Sequence, residues 1–440
     1  MDLKQLFEKV NGVPCPCGRE HKVSVKVFSG KGAICRLPEA MRMLGVKRAY
    51  VLSDKNTQRV AGDTVYSLLQ ENGYTYKGYV FKEEKILPNE RSVGAAVMNY
   101  DSTADVMIAV GSGVIGDIGK IVSSVSGKPL ITVATAPSMD GYASATSSME
   151  KEGLKVSLPS RCPDILIGDT DVLMTAPDDM LRSGLGDMLA KYVSITEWRL
   201  SRIITGEYYC ERVAGIVRDA LKRCTDSIDG LLKREPEAIE AVFEGLIITG
   251  IAMTYAALSR PASGGEHYIS HVWDMRGMEF DLPTSLHGLQ CAVGTLISAR
   301  IYEQVLSLTP NKEKALAFVK AFDISRWNGL LKEFLGSAAE PMISLEKREG
   351  KYSLEKHEKR LDVILENWQS ITDVLKSEMP SAEAIEGILD RISAPKTLTE
   401  LNIDKDILPM TFKASKDIRD KYVLSRLCWD LGMIDEITYE

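Results

Sequence analysis

The 440 residues include 54 lysines and arginines against 61 aspartates and glutamates, a formal net charge of −7. That balance argues against nucleic acid or an anionic membrane as the main partner. With 45% hydrophobic and 26% charged residues the chain has the composition of an ordinary globular protein, and its length predicts two domains instead of one core.

The opening MDLKQLFEKVNG is polar and lacks the apolar core of a signal peptide. No uninterrupted apolar run approaches the ~20 residues that cross a bilayer, so a cytoplasmic protein with no membrane span and with reduced thiols is expected. The eight cysteines contain no CxxC pair. CPCGREH, with Cys15, Cys17 and His21, hints at metal, but without a clear fourth ligand it reads as a turn with exposed thiols.

Short β-branched runs then alternate with helical stretches. RAYVLSD (48–54) predicts a strand, followed by a helix from about Thr57 to Glu71. KGYVF predicts a strand and ERSVGAAVMNY a helix; ADVMIAVGSG runs into the helical GDIGKIVSSVSG; KPLITVATAPS and PDILIGD are further strands. Continuous apolar strands separated by helices mean a parallel sheet covered on both faces. After about Pro177 the strands stop and helical periodicity persists to the end. The expected architecture is therefore an α/β nucleotide-binding domain with a Rossmann-like parallel sheet over residues 1–176, followed by an all-α metal- and substrate-binding domain over 177–440.

GSGVIGD contains G-x-G-x-x-G at Gly111, Gly113 and Gly116, after a strand and opening a helix, where backbone N–H groups can receive a pyrophosphate. The match is a weak one, because it follows a later strand than the usual fingerprint. Asp54, at the end of RAYVLSD, could accept the hydroxyls of an adenosine ribose, although taken by itself a helix cap or turn explains it better. Together with the polar turn TAPSMDG it favours a nucleotide along the C-terminal edge of the sheet.

The chain has only five histidines, and three of them, His267, His271 and His287, fall within 21 positions. His267 and His271 share a helix face at i and i+4. Imidazoles alone hold a divalent ion poorly, and GLGDMLAKY offers a carboxylate, Asp187, which is costly to bury unless paired or bound to a cation.

The order GSGVIGD, TAPSMDGYASATSSM, GLGDMLAKY, SGGEHYISH, LHG resembles the bacterial-type sn-glycerol-1-phosphate dehydrogenases, within the glycerol dehydrogenase, iron-alcohol dehydrogenase and dehydroquinate synthase-like superfamily. The resemblance runs over roughly residues 25–300. It implies cofactor contacts, to NAD(H) or NADP(H), at Asp54, at Gly113, Val114, Ile115, Gly116 and Asp117, at Thr135, Ala136, Pro137 and Ser138, and at Ser144. It implies metal ligands Asp187, His267 and His287 for one divalent ion, with Zn, Ni or Fe compatible by ligand type. Asp140 and His271 match substrate contacts, and Asp187 and His271 the catalytic pair. Where iron-dependent alcohol dehydrogenases place a histidine four residues after the aspartate, this chain has Lys191, which cannot ligate when protonated. Ser112 stands where many relatives have glycine. Arg260 is offered for the substrate phosphate. The implied activity is reduction of dihydroxyacetone phosphate, a phosphorylated triose, to sn-glycerol 1-phosphate by a homo-oligomer. Glycerol dehydrogenase, dehydroquinate synthase and a non-catalytic nucleotide-binding regulator stand as alternatives.

Overall fold

The computed structural model describes residues 2–152 and 154–439. Eight strands are β1 (Lys26–Gly30), β2 (Arg48–Asp54), β3 (Thr75–Phe81), β4 (Val106–Gly111), β5 (Leu130–Ala134), β6 (Thr146–Lys151), β7 (Leu154–Pro159) and β8 (Ile165–Asp169). Six of them form one parallel sheet in the order β1-β8-β5-β4-β2-β3. Every residue of β4, β5 and β8 is buried, which is why these strands read as unbroken apolar runs. Helices α1 (Leu3–Lys9), α2 (Leu37–Leu44), α3 (Asp63–Glu71), α4 (Glu90–Met98) and α5 (Gly113–Ser126) precede or connect the strands. The polar stretch before β8, which the sequence left unassigned, is an antiparallel hairpin of β6 and β7.

Beyond the sheet run α6 (Asp178–Leu189), α7 (Lys191–Thr205), α8 (Glu211–Asp226), α9 (Pro236–Ala256), α10 (Gly265–Phe280) and α11 (His287–Ser307), with further helices to the C-terminus. The compact units are not divided at 176/177, where the strands stop. One unit comprises Met1–Met188 and Gly215–Leu258; the other comprises Leu189–Ala214 and Ser259–Glu440. The reason is α9. It packs so closely on the sheet that a Cβ at Gly168 of β8 would lie 1.9 Å from the Phe243 ring.

By length and composition α9 would also pass for a membrane span, with 21 residues and a mean hydropathy of 1.4, although Glu237, Glu240 and Glu244 interrupt the apolar run in its first half. Of that apolar window 78% is buried inside the protein, so core packing accounts for it.

The turn after β5 is held by the first unit's own helices. Ser183 Oγ donates to the Ser138 carbonyl at 3.0 Å, and a Cβ at Gly184 would sit 1.7 Å from the Pro137 carbonyl oxygen. The obstacle is backbone, so it cannot swing aside. Gly184→Ala is therefore expected to destabilise the protein by about 1–3 kcal/mol through overpacking, read as a lower Tm. An unchanged Tm would mean that α6 slides off the turn without penalty.

Candidate active site

The sheet reverses direction between β2 and β4: from β2 the chain winds outward to β3, and from β4 it winds the other way through β5 to β8. In open α/β sheets the crevice at the carboxyl ends of two such strands is where a ligand binds. Here those ends are Asp54 and Gly111. Asp54 caps the following helical turn, its Oδ1 accepting from the Asn56 and Thr57 N–H groups at 2.7 and 2.9 Å. The capping role foreseen for it is therefore real, and any ribose contact adds to it.

Ser112 is the N-cap of α5, but its side chain makes no capping bond; its Oγ lies 2.5 Å from Ser138 Oγ and so links the turns after β4 and β5. The first N–H groups of α5, on Gly113, Val114 and Ile115, thus keep their capacity for an anion. Gly119, not Gly116, provides the close helix–strand contact, since a Cβ there would be 2.7 Å from Ala109 Cβ. A Cβ at Gly116 would meet no atom within 4 Å, so room remains beside the first turn for a pyrophosphate. Ile115 is buried in the apolar core, and only its backbone is available to a cofactor.

Thr135, Ala136 and Ser138 are buried along the next turn, where the Tyr142 hydroxyl donates to the Ala136 carbonyl at 2.7 Å. Asp117 faces the hairpin: its Oδ2 accepts from the Ser148 N–H at 3.1 Å and its Oδ1 pairs with Lys120 Nζ at 3.3 Å. Burial raises its pKa, and Lys120 opposes that. Lys120, absent from the sequence reading, is itself buried and donates to the Thr146 carbonyl at 3.2 Å, to Ser144 Oγ at 3.3 Å and to the Gly141 carbonyl. It pins the Asp140 turn to the hairpin. Asp187, fully buried on α6, accepts the Asp140 backbone N–H at 2.9 Å. That bond joins the two aspartates named from sequence.

The three histidines belong to the second unit, on α10 and at the start of α11. Ring centroids are 5.0 Å apart for His267 and His287, 6.3 Å for His267 and His271, and 6.0 Å for His271 and His287. His267 Nδ1 is 2.7 Å from Glu266 Oε1. The same oxygen accepts the Gly264 N–H at 2.9 Å and so acts as an acceptor, which places the proton on Nδ1 and leaves Nε2 its lone pair. At His287 the same result follows from a chain of bonds. Gln290 Nε2 donates to Asp274 Oδ1 at 3.0 Å, which fixes its amide so that Oε1 accepts the Ser270 hydroxyl at 2.7 Å. Ser270 Oγ, 3.2 Å from His287 Nδ1, has spent its proton and accepts there. Both imidazoles therefore offer Nε2, as metal-ligating histidines do when another group holds Nδ1–H. Cys291 stands close by: one ligand atom each of His267, His287 and Cys291 lie within 4.8 Å of one another.

Glu266, Ser270, Gln290 and Cys291 were not singled out from sequence, although SGGEH held one signal. A Cβ at Gly264 would lie 2.7 Å from carboxylate oxygens of both Glu197 and Glu266, so glycine is required where two buried acids approach the backbone. Burial pushes both carboxyls up, and for Glu197 the neighbouring Glu266 adds to it.

A sequence profile of the iron-containing alcohol dehydrogenases matches residues 28–177. A glycerol-1-phosphate dehydrogenase [NAD(P)+] of Halalkalibacterium halodurans is 33% identical over 66% of this chain and 74% of its own length. One from Bacillus licheniformis is 34% identical over 71% and 79%. The chain belongs to the glycerol-1-phosphate dehydrogenase family. Among solved structures, glycerol dehydrogenase from Schizosaccharomyces pombe superposes with a TM-score of 0.61 at 19% identity, covering 94% of this chain and 89% of that one, so the two share a fold.

Two readings, Lys191 from the family resemblance and Arg260 from its charge near the histidines, meet the structure here. Lys191 is fully buried and its Nζ donates to the Ala262 carbonyl at 3.0 Å, a use of the ammonium consistent with its not being a ligand. Arg260 does not serve the substrate phosphate as suggested. It is 1% exposed, and its guanidinium is spent on Glu207 at 2.6–3.0 Å, the Tyr422 carbonyl at 2.8 Å and Ser201 Oγ at 3.1 Å.

Proposed function

We propose that this protein reduces dihydroxyacetone phosphate to sn-glycerol 1-phosphate, reversibly, with NAD(P)H and one divalent ion whose ligands are Asp187, His267 and His287. The observation that carries the reading is the pair of imidazoles whose Nδ1 protons are both engaged, so that each Nε2 is unprotonated, with ring centroids 5.0 Å apart. The relatives' names give the substrate class.

When bound, the ion supplies Lewis-acid polarisation of the ketone and the reduced nicotinamide supplies the hydride. The protein's own residues do the rest. Asp187 contributes the only negative charge among the three ligands. Asp140 orients the substrate's hydroxyl, and His271 passes the proton to the oxygen as the carbonyl becomes an alcohol. Gly113, Val114, Ile115 and Gly116 receive the pyrophosphate, with Thr135 to Ser138 and Ser144 along the same edge and Asp117 holding the hairpin beside it. A cytoplasmic homo-oligomer belongs to the same reading, supported by the family resemblance.

Steady-state assay with dihydroxyacetone phosphate and each reduced nicotinamide tests the proposal. Turnover of free glycerol with NAD+, and none of dihydroxyacetone phosphate, would replace it with glycerol dehydrogenase. For the cofactor, a carboxylate at the ribose disfavours a 2′-phosphate, so NADH is expected to be preferred over NADPH. Asp54→Ala should narrow that preference about tenfold, about 1.4 kcal/mol. The comparison is of kcat/KM for the two cofactors, and an unchanged ratio removes Asp54 from the ribose site.

A further inference from the structure

The segment CPCGREH is folded around its histidine. Gly12 N–H donates to the His21 carbonyl at 2.7 Å and Gly18 N–H to the Cys15 carbonyl at 3.0 Å, while Pro14 and Glu20 form an antiparallel bridge. His21 is completely buried, and Cys15 and Cys17 are half-buried, not exposed as the sequence reading held. One ligand atom each of Cys15, Cys17 and His21 lie within 4.8 Å of one another.

The orientation of His21 is decided by α9. Its Nδ1 is 3.2 Å from the Tyr255 carbonyl oxygen, one of the last carbonyls of that helix, which have no partner within the helix itself. Arg19 takes the next, Ala256, at 3.1 Å. A carbonyl only accepts, so the proton is on Nδ1 and the Nε2 lone pair is turned toward the thiols. Cys17 Sγ is 3.3 Å from Nε2. In a tetrahedral zinc shell, with bonds of about 2.3 Å to sulfur and about 2.0 Å to nitrogen, that separation is roughly 3.5 Å. A histidine held through Nδ1 by a backbone carbonyl and presenting Nε2 is how metal-bound histidines are usually oriented.

We propose that Cys15, Cys17 and His21 bind a structural metal ion, zinc by ligand class, in the first unit and distinct from the ion held by Asp187, His267 and His287. Two thiolates and an imidazole select zinc over the oxygen-seeking cations. Neither CxxC spacing nor a disulfide is involved. The ion clamps the N-terminal loop onto the end of α9, the helix that also lies against the Asp140 turn, where a Cβ at Gly250 would be 2.9 Å from the Asp140 carbonyl.

The test uses full-length protein purified without a polyhistidine tag. Cys17→Ser and His21→Ala should each lower the metal content by one ion per chain, whether or not Asp187→Asn removes another. X-ray absorption at the zinc edge of the Asp187→Asn protein should show at least two sulfur scatterers at about 2.3 Å, with a third if another cysteine completes the shell. A chelator should lower the Tm of that protein by several degrees and leave Asp187→Asn/Cys17→Ser unmoved. Metal content unaffected by Cys17→Ser, or a shell of nitrogen and oxygen alone, would overturn the site and leave only a Cys17 S–H hydrogen bond to His21.

Discussion

Asp187→Asn should lose its catalytic ion and its turnover together. The substitution keeps the side chain's shape, and the amide oxygen can still accept the Asp140 N–H that Asp187 now accepts at 2.9 Å. What it removes is charge, leaving two neutral imidazoles to hold a divalent ion. A Lewis-acid contribution of several kcal/mol, at about 1.4 kcal/mol per factor of ten, puts the expected fall in kcat/KM at roughly a thousandfold or more. Metal content after dialysis, measured beside turnover and Tm, decides the matter. A folded variant with full metal content and normal turnover would reduce Asp187 to a residue that merely holds the Asp140 turn.

How far this could be read beforehand depends on the range of the interaction. The strands β2, β4, β5 and β8 were legible because burial on both faces leaves no polar alternation, and the helix from Gly113 because glycine follows the strand directly. The hairpin of β6 and β7 was not, because SSMEK is short and polar and gains strand structure from its partner, as Met149 pairing with Val156 shows. Which unit α9 joins was not legible for a related reason: it is helical like everything after Pro177, and it is Phe243 lying against Gly168 that reveals which core it serves.

In the candidate active site, residue types and spacing pointed to Asp187 and the histidines. The groups that set their tautomers are either adjacent and unremarkable in sequence, as Glu266 is, or far along the chain, as Gln290 is from Asp274. Lys120 and Arg260 illustrate the same limit from opposite sides. Lys120 gave no signal and proves to fasten the Asp140 turn; Arg260 was singled out for its charge near the histidines, and Glu207 with the Tyr422 carbonyl occupies it fully. Cys15 and Cys17 were set aside for want of a fourth ligand. What the sequence could not show was the Tyr255 carbonyl that turns His21 toward them.

His267 and His271, one helical turn apart, should respond differently to the same truncation. His267 Nδ1 is fixed by Glu266 at 2.7 Å and its ring lies 5.0 Å from that of His287, which Ser270 and Gln290 fix in turn. In the proposed reading these two are the ligands. His271 is 6.3 Å from His267 and lies nearly parallel to His287, with 16° between the planes. A third histidine added to Asp187 and the two fixed imidazoles would close a four-coordinate shell, whereas catalytic sites with three protein ligands keep a position open. His267→Ala is therefore expected to empty the catalytic site, with turnover falling as far as in Asp187→Asn. His271→Ala should keep its ion and lose about 10²–10⁴-fold in kcat/KM for dihydroxyacetone phosphate, the usual worth of a positioned acid–base group. Metal content distinguishes the two roles independently of rate. Equal depletion in both variants would make His271 a ligand, and the proton would then have to come from elsewhere.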